Sequence, residues 1–202
     1  YVGLQGLAHA ESAGQRALAY AQARLQMRAV LRPEGALAAA ADPVAFHPAV
    51  RQVLWQSRAM TEGMRAIGYW SAHLIDLAEQ AQGMARQALE ARIALLTPVV
   101  KAFFTEQGFQ LASDALQVFG GYGYVTESGI EQTVRDSRVA MIYEGTNEIQ
   151  ANDLLLRKVL GDGGEALQAL LAHVLEEAGL ASDAEGMRWA QQLRVASDGL
   201  QA

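Results

Sequence analysis

Apolar residues recur at helical spacing through most of the chain. Leu4, Leu7, Ala8, Leu18, Ala21 and Leu25 follow a 3.6-residue repeat, which predicts a helix from residue 3 to about 28. RPEGALAAAADPVAFHP, at 32–48, breaks the repeat with three prolines and a glycine and reads as a connector. Beyond Pro48 the stripe resumes with Val50, Leu54, Met60, Met64, Ile67, Leu74 and Leu77, a second and long helix. AQGMA, at 81–85, marks a break. A third helix is predicted over 86–107, ending near Gly108, with Pro98 kinking it or delaying its start. ALQVFGGYGYVTESG reads as a helix ending at Gly120, then a loop to Gly129. Helices are further predicted over 129–138, over 146–160 with Thr146 as N-cap, over 164–178 and over 183–197, with GDGG at 161–164 as a stop. Only YGYVT alternates even weakly in the manner of a strand. The expected fold class is all-α. It is an antiparallel up-and-down helix bundle over residues 1–160, with extra C-terminal helices over 161–202 packed on it.

Composition narrows the function classes. The 202 residues are 51% hydrophobic with a net charge of −6, which argues against nucleic acid as a partner. With no cysteine there can be no disulfide, thiol nucleophile or thiolate metal ligand. No apolar run approaches the roughly 20 residues of a membrane span. The start has no basic segment followed by an apolar core, so no signal peptide is read there, and a cytoplasmic location is expected. It also lacks an initiator Met and opens inside a predicted helix, so a piece of a longer protein is expected.

Few residues carry candidate chemistry. His9, His47, His73 and His173 are scattered without a helical pair, and no metal site is expected. Trp55, Tyr69, Trp70, Phe103, Phe104 and Phe109 sit within helical segments and are expected in the core. Arg24, Arg28, Arg51, Arg58 and Arg65 read as a solvated face. GGYGY (120–124) lacks the strand and G-x-G-x-x-G of a dinucleotide fold and the G-K-[ST] of a phosphate loop. On those residues alone, a helix C-cap and turn accounts for it, although exposed backbone N–H groups there could hold an anion or a cofactor edge. Glu144, in MIYEGTNEIQ, leaves two readings open. Apolar Ile142 and Tyr143 would disfavour its ionised form and suit it to general-base work, with Gly145 leaving room for a ligand. Alternatively it is a surface carboxylate at a helix start, favoured by the helix dipole.

One segment, ALQVFGGYGYVTESGIEQTVRDSRVAMIYEGTNEIQANDLL at 115–155, resembles the acyl-CoA dehydrogenase family in its C-terminal helical domain. The resemblance rests on three motifs in order: QVFGGYGY, the R-D-x-R of Arg135 to Arg138, and IYEGTNEIQ. It extends upstream to the first helix, whose R-x-Q-[FM] end is Arg24 to Met27, with Arg28 where the family has a glycine, and to the His47-Pro48-Ala49-Val50 start of the second. It covers residues 1 to about 160. The long connector, the helices after 160 and IYEGTNEIQANDLLLRKVL are similar to the larger members that include 3-methylmercaptopropionyl-CoA dehydrogenases.

The resemblance implies α,β-dehydrogenation of an acyl-CoA thioester to the trans-2-enoyl-CoA, with FAD as cofactor. It implies Glu144 as the base for the α-proton and Gly145 beside the substrate. Thr146 and Glu148 would contact FAD, where a helix N-terminus favours the pyrophosphate. Gln117, Val118, Phe119, Gly120 and Gly121 would meet the adenosine half of FAD, and Arg24 and Gln26 would add a second contact, both across a dimer interface. Implied partners are acyl-CoA, an electron-transferring flavoprotein and a second copy in a homodimer or dimer of dimers. The family's N-terminal helical and middle β domains are absent from these residues, so this stretch alone is expected neither to hold FAD tightly nor to turn over. An acyl-CoA oxidase and a non-enzymatic helical assembly module are the competing readings.

Overall fold

The structure, a computed structural model, describes residues 1–36 and 39–201. Residues 37 and 38 of the predicted connector and residue 202 of the predicted extension lie outside the described residues. Among the described residues seven α-helices follow in order: α1 (Val2–Ala23), α2 (Pro48–Gln80), α3 (Gly83–Phe119), α4 (Ile130–Val139), α5 (Asn147–Asn152), α6 (Glu165–Gly179) and α7 (Ala184–Gln201). Among the described residues the one extended pairing is an isolated bridge between Leu25 and Pro43. YGYVT is not a strand but part of two 3₁₀ turns, Gly120–Tyr124 and Thr126–Ser128.

The chain divides into two compact units, cut elsewhere than at residue 160: Tyr1–His73 with Pro98–Ala151, and Leu74–Thr97 with the chain from Asn152 onward. In the first unit, small residues let helices approach closely. A Cβ on Gly6 of α1 would meet the Phe104 backbone oxygen of α3 at 2.2 Å, and one on Gly108 would meet the Gly6 oxygen at 2.5 Å. Further along α1, a ridge of Ala13, Ala17 and Ala21 packs on Ala112, Ala115 and Val118 of α3 and on Ile130 of α4. Residue numbers rise together along α1 and α3, so these two helices run parallel. Between them in sequence, α2 runs back along α1, with Ser57 beside Gly14 and Gly68 beside Leu4. This is the expected up-and-down order.

Three boundaries differ from the sequence reading. First, α1 ends at Ala23 rather than near 28. Arg24 turns extended, the Val44 N–H donates to its carbonyl at 2.8 Å, and Met27 takes a left-handed φ of 56°. The buried Asp42 carboxylate organises this segment, accepting from the Ala29 N–H at 3.0 Å and from Arg32, with Arg28 at 3.7 Å. Second, α3 runs unbroken through Pro98 and Gly108. Gly108 is there for the crossing with α1, not as a stop. In the turn before Pro98 the Thr97 hydroxyl donates to the Ile93 carbonyl at 2.7 Å. Third, the helix from 146 to 160 is α-helical only over Asn147–Asn152 and winds as π-helix over Asp153–Val159.

Of the aromatics expected in the core, Phe104 is fully buried, whereas Trp55, Tyr69 and Phe103 are exposed. The alanine-and-glycine seam leaves no room for a large ring within it, so Phe104 packs beside it with Leu7, Ala10 and Met64, and Trp55, Tyr69 and Phe103 face outward. The arginines expected as a solvated face are largely paired: Arg65 with Glu11 and Glu62, Arg58 with Glu62, and Arg28 with Asp42.

In the second unit, α6 and α7 pack together, burying Leu171 and Ala190. Asp162 caps the start of α6 through the Gly164 and Ala166 N–H groups, and Asp183 caps α7 through that of Gly186.

Candidate active site

The predicted site residues fall at the two ends of α1. At its N-terminal end lies the turn between α4 and α5, which carries Glu144. After Val139 the chain tightens: the Ile142 and Tyr143 N–H groups both donate to the Val139 carbonyl, at 2.9 and 3.2 Å. Glu144 and Gly145 then take left-handed φ values of 55° and 87°. The Asn147 N–H closes the turn on the Met141 carbonyl at 3.2 Å. Glycine meets such a φ without strain; glutamate does not, so residue 144 holds an unfavourable backbone conformation. Its carboxylate is exposed. The expected apolar enclosure is not supplied by the neighbours, because Ile142 is 52% and Tyr143 36% exposed.

The turn is fastened on both sides. The Tyr143 hydroxyl donates to Gln5 Oε1 on α1. Asn147 reaches α3: its Oδ1 accepts from Lys101 Nζ at 2.9 Å, and its Nδ2 donates to the Ala102 carbonyl at 3.3 Å and to Glu106 Oε2 at 3.2 Å. The fully buried Thr105 hydroxyl, 3.2 Å from the same Oδ1, also lies 2.8 Å from the Lys101 carbonyl and shares its single proton between them. Thr146 is the N-cap expected of it, accepting from the Ile149 N–H at 3.4 Å.

Two charges sit beside this network. Burial pushes the Lys101 ammonium below its ordinary value, while the charge of Glu148 pulls it back up. Glu148 is held below the usual carboxylate range by its own N–H and the Thr146 hydroxyl against the opposing effect of burial, with Arg138 and Lys101 adding to the lowering. An ionised Glu148 repels a phosphate, and α5 has six α-helical residues, a short dipole. Thr146 and Glu148 therefore fit a hydroxyl or N–H donor of a bound group better than a pyrophosphate.

At the other end of α1, Tyr20 stacks on Phe119 at 4.2 Å between centroids and on Tyr122 at 6.1 Å. The Val118 side chain is in the core and the Phe119 ring is occupied by Tyr20, so neither offers its side chain to a ligand. Gln117, Gly120 and Gly121 are exposed, and a Cβ on either glycine would meet open space. Gly120, with φ 62°, ends α3 in the left-handed C-cap manner. Gly123 cannot carry a side chain, because a Cβ there would meet the Leu116 oxygen at 2.7 Å. Arg24 and Gln26 are exposed on the extended segment just after α1. This exposed guanidinium, amide and glycine backbone suit an anionic, hydrogen-bonding group such as a dinucleotide. Between the ends, Arg16 ties the Ser128 and Gly129 carbonyls and the Thr133 hydroxyl to α1 at 2.7 to 3.1 Å.

Sequence reasoning missed Lys101, Asn147, Arg16 and Asp42. Lys101 had a usable signal: a lone cation inside the apolar run PVVKAFF. The others depend on partners far away along the chain.

A family model for the acyl-CoA dehydrogenase C-terminal domain matches residues 1–159. The chain is 43% identical over 197 residues to a 3-methylmercaptopropionyl-CoA dehydrogenase of Ruegeria pomeroyi, covering 96% of this chain and 33% of that protein. It is 33% identical over 177 residues to the broad-specificity linear acyl-CoA dehydrogenase FadE5 of Mycobacterium tuberculosis, covering 87% of this chain and 29% of that protein. The structure of butyryl-CoA dehydrogenase from Megasphaera elsdenii superposes with a TM-score of 0.60 at 26% identity, covering 77% of this chain and 35% of that one. The chain thus spans about a third of the length of these relatives.

Proposed function

The chain belongs to the acyl-CoA dehydrogenase family, as its C-terminal domain, and on that premise we propose that the protein containing it oxidises an acyl-CoA thioester to the trans-2-enoyl-CoA, with Glu144 as the base. The carrying observation is Glu144 itself, a non-glycine residue held at φ 55° with its carboxylate exposed on a turn fastened to two helices. A glycine would relieve the strain, so the carboxylate is what the position retains.

In this reading Glu144 takes a proton from the α-carbon, and Gly145 lets the thioester approach the turn. FAD, when bound, supplies the acceptor for the hydride that leaves the β-carbon. The chain's own residues bind and orient. Arg24, Gln26 and the exposed backbone of Gly120 and Gly121 form one contact set for the cofactor, offered to a second copy of the chain. Thr146 and Glu148 form another beside the base. The Ruegeria relative makes 3-methylmercaptopropionyl-CoA the first thioester to test. An electron-transferring flavoprotein is the proposed electron acceptor.

The test uses the full-length protein under anaerobic conditions. Adding 3-methylmercaptopropionyl-CoA or butyryl-CoA bleaches the flavin of the unaltered enzyme. Glu144→Gln slows bleaching by about 10²–10⁴-fold, the usual contribution of a general base. Bleaching at the unaltered rate in Glu144→Gln rejects the base assignment. Fast reoxidation by oxygen in place of a flavoprotein identifies an oxidase.

A further inference from the structure

We infer that Lys101 and Asn147 are positioning residues for the proton transfer, a mount on α3 that sets where the Glu144 carboxylate stands. The inference rests on the reading of Glu144 as the base.

A left-handed non-glycine residue persists only where its surroundings over-determine it. The backbone bonds to Val139 fix the entry to the turn, and its exit is fixed at Asn147. That side chain does more than start a helix, since Thr146 already caps α5. Because Lys101 Nζ can only donate, it determines which amide atom is Oδ1 and turns Nδ2 toward the Ala102 carbonyl and Glu106. Ammonium, amide and carboxylate thus lock one orientation against a single long helix.

Lys101 is also an expensive choice. It is 7% exposed, and an apolar side chain would stabilise that position of α3 more readily than a buried ammonium. Its function is therefore sought in the group it holds. Only Gly145 and Thr146 separate Asn147 from Glu144, three Cα–Cα steps that span at most about 11 Å, so a shift at one is passed to the other.

The test takes Lys101→Met, Asn147→Ala and, as reference, Glu144→Gln in the full-length flavoprotein. Anaerobic stopped-flow reduction is measured over a range of acyl-CoA concentrations, alongside backbone hydrogen exchange over residues 141–150. Lys101→Met and Asn147→Ala are expected to lower the limiting reduction rate by ~10-fold or more, while the substrate dissociation constant moves by less than about threefold. Exchange over the turn rises in both. A purely structural role lowers melting temperature and flavin content and leaves the limiting rate per bound flavin unaltered. That result, with Glu144→Gln inactive, overturns the inference and leaves the base assignment standing. Normal reduction in Glu144→Gln rejects the base assignment, and the inference with it. Should Lys101→Met fail to fold, Asn147→Ala decides alone, since it removes a side chain at the first turn of a short helix.

Discussion

At Glu144 the backbone and the side chain want different things. The φ of 55° favours glycine, and among the described residues the exposed Glu144 side chain makes no hydrogen bond or ion pair that offsets it. Glu144→Gly should therefore stabilise the fold by about 1 kcal/mol, the usual cost of a non-glycine residue in this region, while removing activity. Urea unfolding of the two forms measures the first, flavin bleaching the second. The sequence made the residue visible through motif spacing: IYEGT stands at a set distance after QVFGGYGY and RDSR. It could not show that Ile142 and Tyr143 leave the carboxylate uncovered, since cover depends on what packs from elsewhere. Nor could it show the Lys101–Asn147 contact, which joins positions 46 residues apart.

Among the elements, close helix approach decides what the sequence hides. Gly108 has the appearance of a helix stop, yet it lies inside α3, and the residue there is glycine because Gly6 of α1 occupies the space a side chain would need. Gly6→Ala should destabilise by about 1–3 kcal/mol or more, since its Cβ would press on backbone that cannot yield. A circular-dichroism melt of the variant reads this directly. The end of α1 was misread for a related reason: Leu25 continues the apolar repeat, but Asp42 and the Leu25–Pro43 bridge pull the chain out of the helix. Burial alone would raise the Asp42 carboxyl, but the Ala29 N–H, Arg32 and Arg28 together bring it below the ordinary 3.8. A carboxyl lowered in the folded state adds stability above its unfolded value and loses it as pH falls through the folded one. Asp42→Asn should thus be less stable than the unaltered protein at neutral pH, with the gap closing below about pH 4. Chemical denaturation at pH 7 and pH 3 checks this. The strongly periodic helices were legible because one face repeats, whereas their ends answer to partners that a local window does not contain.

On the scale of the molecule, the candidate residues form two groups along α1, one by Gln5 and one by Tyr20. Tyr20 lies fifteen helical steps beyond Gln5, roughly 22 Å along the axis. That division suits a dinucleotide contacted by two copies of the chain, each giving one group to its own site and the other to its partner's. On the proposed reading, one copy of this stretch supplies only one of the two contact sets to each cofactor. The isolated 202-residue chain should then emerge from gel filtration without flavin absorbance, and the full-length protein with it. The large exposed side chains Trp55, Tyr69, Trp189 and Leu193 should make the isolated chain self-associate, which sedimentation velocity over a concentration series measures.

The base assignment is tested most directly by removing the oxidation. A thioester with hydrogens on the α-carbon and none on the β-carbon can lose a proton but not a hydride. Incubated with the full-length flavoprotein in D2O, it should take up deuterium at one α-position. Glu144→Gln should slow that uptake to the rate in buffer. Equal uptake in the two proteins would contradict the account.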